Sequence, residues 1–171
     1  MQRLRSLVCL LLASSAFAQS KQSDWVTVRS AECGYTAKFP QQPTFHSDAV
    51  PKYAGGFRYS EWSIEEDHLV LDVTCSEANA VVTEARLDLG KTEAVKTAHA
   101  RIVRERKSKG VRDLDVEGEE TRGRIKMVAA GKHLIQVIAL VDDPKDLPLA
   151  NKFVESFRLT PTKKKESHGT H

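Results

Sequence analysis

Residues 133–159 read HLIQVIALVDDPKDLPLANKFVESFRL, and this stretch decides the fold. It opens with the longest apolar run downstream of the N-terminal segment, residues 134–141, broken only by Gln136. A strand covered on both faces reads as a nearly continuous apolar run, whereas a half-covered strand alternates. The run therefore predicts a strand in the middle of a sheet. It closes with Phe153 and Phe157 one helical turn apart, so a short helix is expected to fold back over that strand.

Outward from this centre, the chain alternates strands and helices unevenly. Residues 25–29 and 35–39 alternate apolar with polar and flank a turn at Gly34. Pro40 and Pro43 interrupt any ladder beyond Phe39, so residues 41–56 are expected to be loop with one short edge strand. Phe57 and Tyr59 lie in one two-residue phase and Trp62 and Ile64 in the other, which predicts a bulge near Ser60 and Glu61. A polar hairpin turn at residues 65–68 leads to a strand over residues 69–75.

From Thr83 the period lengthens. Ala94, Val95, Ala98, Ile102 and Val103 recur at three and four residues, predicting one long helix ending near Gly110 and firm over residues 92–107. Residues 111–119 and 124–128 then read as a hairpin, with Asp113, Asp115, Glu117 and Glu119 set against Arg122, Arg124 and Lys126. Asp146 is the expected N-cap of the last helix, with Pro148 in its first turn. The fold class is α+β: an antiparallel sheet with one long and one short C-terminal helix packed on it.

The N-terminus reads as an export signal. Arg3 and Arg5 precede an apolar segment over residues 7–13, and Ala16-Phe17-Ala18 supplies a small-x-small cleavage site. Nothing after residue 18 approaches the roughly 18 apolar residues of a membrane span. Removing Arg3 and Arg5 from 26 basic residues leaves 24 against 23 acidic. Lys163, Lys164 and Lys165 sit in a tail, residues 160–171, expected to be disordered. The remainder is close to neutral, which argues against a nucleic-acid-binding protein.

Cys33 is in step with Tyr35, Ala37 and Phe39, and Cys75 with Leu69, Leu71 and Val73, so both thiols face apolar sides of their strands. Either a disulfide or two buried thiols fits that phase, and export favours the disulfide.

The sequence resembles the PsbP-like α/β/α sandwich proteins, a group of small secreted bacterial chains and their relatives. The resemblance rests on GYTAKFP at residues 34–40 followed by Pro43, on the hairpin of residues 57–75, and on FVESF at residues 153–157. It spans residues 25–159, read as one domain. It implies the fold and a non-catalytic accessory or binding role, since the group's better-known members are extrinsic photosystem subunits and Ran-binding transport factors. The shared positions are structural, so it carries over no functional residue.

Chemistry-bearing clusters are sparse. His68 stands beside Glu65, Glu66 and Asp67, which a solvated hairpin turn explains. His46, His99 and His133 are scattered, and His168 and His171 lie in the tail. The acidic row from Asp113 to Glu119 would spread along a strand at about 7 Å per two-residue step instead of wrapping a calcium ion. No hydrolase, metalloprotease, phosphate-loop or dinucleotide motif occurs. No catalytic, metal or cofactor residue is assigned, and the chain is not expected to be an enzyme. Two surfaces are candidate interfaces: the aromatics Tyr53, Phe57, Tyr59 and Trp62 around Gly55 and Gly56, and a basic helical stripe of Arg101, Arg104 and Lys107. The expected role is an exported binding or accessory factor of the cell envelope with a protein partner. A small-ligand or metal carrier using a crevice between sheet and helix is the first rival. A hydrolase using a free Cys75 beside a histidine is the second.

Overall fold

The computed structural model describes residues 24–49 and 58–160. The export signal, Tyr53, Phe57 and residues 161–171 of the tail lie outside the described residues.

Among the described residues, ten strands and two helices occur in the order β1 (Val26–Ser30), β2 (Tyr35–Phe39), β3 (Thr44–Ala49), β4 (Arg58–Glu66), β5 (Leu69–Glu77), α1 (Glu84–Thr97), β6 (Ala100–Ser108), β7 (Val111–Gly118), β8 (Arg122–Ala130), β9 (His133–Val141), α2 (Leu147–Ser156) and β10 (Arg158–Leu159). Seven strands form one antiparallel sheet in the order β3-β4-β5-β9-β8-β7-β6. The apolar run of residues 134–141 is β9, the central strand of the seven. A small sheet, β1-β2-β10, stands apart.

Alternation along β9 sends side chains into two cores. Ile135, Val137, Ala139 and Val141 join Leu71 and Val73 of β5, Tyr35 and Phe39 of the small sheet, and Phe153 and Val154 of α2. Phe39 meets Phe153 edge-on at 4.8 Å between ring centroids, a favoured aromatic geometry. On the other face, Leu134 packs with Leu114, Ile125 and Met127 beneath Leu87 and Ala94 of α1. The large sheet is thus sandwiched between α1 on one side and the small sheet with α2 on the other. Ile138 and Leu140 are only half-buried because α1 sits over β6, β7 and β8.

The expected long helix is two elements. α1 starts at Thr83, whose hydroxyl accepts from the Arg86 N–H, and ends at Thr97. His99 then takes a left-handed φ of 48° and the chain reverses into β6. Ile102 and Val103 continue the helical spacing only by coincidence: β6 is an edge strand, exposed along most of its length, and shows no alternation. The helices are accordingly similar in size, with 14 residues in α1 and 10 in α2 after a three-residue 3-10 turn. Asp146 occupies the N-cap position of α2 without a side-chain bond, and Asp143 instead accepts from the Lys145 N–H at the 3-10 turn.

The bulge expected at Ser60 and Glu61 is absent, and β4 pairs in continuous register with both neighbours. Tyr59 simply faces the opposite side from Trp62. The register shift lies instead in β6, between Ile102 and Arg104.

Two glycines hold close approaches. Gly90 lets α1 settle on β8, since a Cβ there would lie 2.6 Å from the Met127 Cε. At Gly123 a Cβ would lie 1.9 Å from the Ala139 carbonyl oxygen, so no side chain fits between β8 and the central strand.

Candidate functional site: a cleft beside the free sheet edge

The small sheet and α2 do not cover the large sheet completely. Their cover ends near β4, where Ile64 is buried and Trp62 only partly so. β3, beyond it, is exposed at all six positions and Phe45 is 50% exposed. Where the cover ends, a cleft of about 440 Å3 opens. Its wall is the turn between β1 and β2, carrying Glu32 and Cys33. A disulfide from Cys33 to Cys75 fixes that wall to the floor, with Cα atoms 6.5 Å apart.

Strand register sets the floor in rows. Phe45, Trp62 and Val73 stand opposite one another across β3, β4 and β5, and the Phe45 and Trp62 rings are 4.6 Å apart. The next row on the same face is Ser47, Ser60 and Cys75. The third is Ala49, Arg58, Glu77 and, on β9, His133. The floor therefore grades from Phe45, half exposed against the partly buried Trp62, through small polar groups at the disulfide, to a charged row.

The candidate interface residues separate in space. Trp62 meets the cleft only through Phe45, which lines it, whereas Tyr59 lies along the cleft but turns its ring to the opposite face beside His46, with ring centroids 5.8 Å apart. Arg101 and Arg104 share one face of β6, brought into phase by the register shift between Ile102 and Arg104, and Lys107 has the other. Arg101 pairs with Glu117 at 3.0 Å and Lys107 with Asp88 at 3.5 Å. Sequence reasoning missed Phe45, which sits in a stretch that Pro40 and Pro43 mark as loop.

The acidic row of β7 is bound up in ion pairs. Asp113, 9% exposed, receives the Arg124 Nε and Nη2 at 2.8 and 2.7 Å and Arg106 Nη2 at 3.0 Å. Asp115 takes the same Arg106 at 2.6 and 2.8 Å. Arg106, Asp115 and Arg124 line a groove of about 650 Å3 between α2 and β6, β7 and β8. Arg112, fully buried, ties β7 to α1 through Asp88 and Glu84, each at 2.7 Å. Among the described residues, no three His, Cys, Asp or Glu side chains converge in a way that would hold a metal ion. Cys75 is held in the disulfide, so it does not supply the free thiol that a cysteine nucleophile requires.

Asp72 was also missed, because it interrupts the apolar residues of β5. It is 7% exposed; its Oδ1 accepts from the Thr74 hydroxyl at 2.8 Å and its Oδ2 is buried with no partner. Burial pushes its carboxyl up to about 7, against the Thr74 hydrogen bond and with the help of Glu61 and Glu65. A raised carboxyl favours the folded state most below the unfolded value near 4, and that contribution is lost as pH rises through 7. Asp72→Asn keeps an acceptor for Thr74 and removes the charge. It is expected to raise stability at pH 8 by about 1–3 kcal/mol, with little change at pH 4, as read by urea unfolding at both pH values.

The layers and strand order define a PsbP-like α+β sandwich. The solution structure of cyanobacterial PsbP (CyanoP) from Synechocystis sp. PCC 6803 is similar, with a TM-score of 0.52 and 15% sequence identity. The match covers 80% of this chain and 93% of that one, and at this identity the likeness is one of fold. No protein-family model matches the sequence, and no curated protein matches it significantly. Among the described residues, no helix is long and apolar enough to cross a membrane.

Proposed function

We propose that this chain is an exported, non-catalytic binding factor of the cell envelope that seats a partner protein on the cleft beside β3. One observation carries the reading. Phe45 stands half exposed at the sheet edge, packed at a tilt against Trp62, next to a concave floor that turns polar and then charged. Interfaces favour such aromatic anchors with a polar rim. The export reading of residues 1–18 and the Cys33–Cys75 disulfide agree with an oxidising compartment. A carrier holding its ligand in a crevice between sheet and helix is less well supported, because the interior clusters are apolar and the charged side chains of the groove beside α2 are committed to ion pairs with one another.

The test is affinity capture from the organism's own envelope fraction, using wild type and the double variant Phe45→Ser with Arg58→Glu. Both positions are exposed, so the variant is expected to unfold at the wild-type temperature. A partner recovered by wild type should fall about tenfold or more with the variant, as loss of an aromatic anchor implies. Equal recovery by the two proteins would contradict the reading.

A further inference from the structure

The two edges of the seven-stranded sheet are built differently. β6 carries Arg101, Arg104 and Lys107 together with a register shift, features that discourage an edge from adding another strand. β3 has neither. Its six residues, TFHSDA, include no Lys, Arg or Pro, pair with β4 in unbroken register, and are all exposed.

We infer that β3 pairs antiparallel with β3 of a second copy of this chain, about a two-fold axis at Ser47. A two-fold normal to the sheet keeps each face continuous, so residues opposite one another must share a face and the axis must pass through a residue. Centring on His46 sets two imidazoles opposite each other. Centring on Asp48 sets two carboxylates opposite each other, which is unfavourable. Centring on Ser47 sets His46 opposite the second copy's Asp48, and symmetry repeats that pair. Asp48 uses Oδ1 to accept its neighbour's Ala49 N–H at 2.7 Å, and Oδ2 is the oxygen left for the imidazole. On the other face the same register sets Phe45 opposite the second copy's Ala49, large against small.

Phe45, Ser47 and Ala49 line the cleft. Pairing at β3 therefore joins two clefts into one groove across the axis. The shared groove rests on the partner-binding reading of the cleft, whereas the strand pairing does not.

Cross-linking reads the pairing in the purified chain with no partner present. Directly opposed residues have Cα atoms about 4.5–5.5 Å apart, within disulfide reach. Ser47→Cys is expected to give a covalent dimer on mild oxidation. Thr44→Cys should give less than about a tenth as much, because two copies of that position lie roughly 20 Å apart in this register. In sedimentation, wild type is expected at twice the monomer mass, His46→Glu at the monomer mass, and His46→Glu with Asp48→Lys at twice again. A monomeric wild type, or equal cross-linking at positions 44 and 47, would overturn the pairing and leave the partner-capture result standing.

Discussion

Replacing Cys33 and Cys75 with serine is expected to lower the unfolding free energy by about 4 kcal/mol. The bridge closes a sequence separation of 42 residues, and constraining an unfolded loop of that length accounts for a loss of that order. The location adds to the effect, because Cys75 is 1% exposed on β5 and Cys33 belongs to the turn of the small sheet. Without the bridge, that sheet is held to the large one by side-chain packing and by its contacts with α2. The midpoint of thermal unfolding should fall by roughly 10–20 °C, read by calorimetry on oxidised wild type and the double variant. Amide exchange should show the turn around Glu32 opening first, so the cleft loses its wall before the protein loses its core. A change below about 1 kcal/mol would mean that packing alone fixes the small sheet.

Asp113→Ala should cost about 3–5 kcal/mol, the usual penalty for removing one partner from a buried ion pair. Its carboxylate lies between two guanidinium groups beneath α2, and Arg124 also reaches Glu155 of that helix at 3.3 Å. Removing the carboxylate leaves Arg106 with Asp115 and Arg124 with only the exposed Glu155. Burial alone would raise the Asp113 carboxyl, but hydrogen bonds from Arg124 and then Arg106 hold it down to about 2. A depressed carboxyl contributes its stability above the unfolded value near 4 and loses it as pH falls through 2. The difference between wild type and Asp113→Asn in denaturant unfolding should therefore be full at pH 7 and shrink between pH 4 and pH 2. A difference that stays constant over that range would show that the side chain's packing, and not its charge, holds α2 on the sheet.

How far the sequence could be read depended on burial. Residues 134–141 announced the central strand because both faces of β9 meet other elements, so apolar side chains were required at nearly every position. Phe153 and Phe157 announced α2 for the same reason. Edge strands carried no such pattern. β6 is covered on neither side over most of its length, so Ile102 and Val103 could be joined to the helix before them. The reversal at His99 uses neither Gly nor Pro, and nothing in the local sequence marks it. β3 was legible only as one short strand among prolines, and Phe45 within it looked like any loop aromatic.

The candidate site was legible in part. The phases of Cys33 and Cys75 brought the two thiols to facing apolar surfaces, and their bridge became the wall of the cleft. Tyr59 and Trp62 were grouped by nearness in sequence, although a three-residue step along a strand puts side chains on opposite faces. The basic stripe failed on the same geometry at Lys107, which a step of three along a strand puts on the face opposite Arg104, while the register shift between Ile102 and Arg104 keeps Arg101 and Arg104 together. Arg112 and Asp72 escaped because charged residues at alternating positions are read as solvent-facing, whereas α1 covers Arg112 and Asp72 is buried on its strand.

Site-specific photo-cross-linking in the living envelope tests the central claim most directly. A photoreactive phenylalanine analogue at position 45 reports on the cleft, and the same analogue in place of Arg104 reports on the opposite sheet edge. A partner seated at the cleft gives a discrete adduct with a second protein from position 45, reduced by Arg58→Glu, and none from position 104. Adducts of equal yield from both positions, or from position 104 alone, would contradict it.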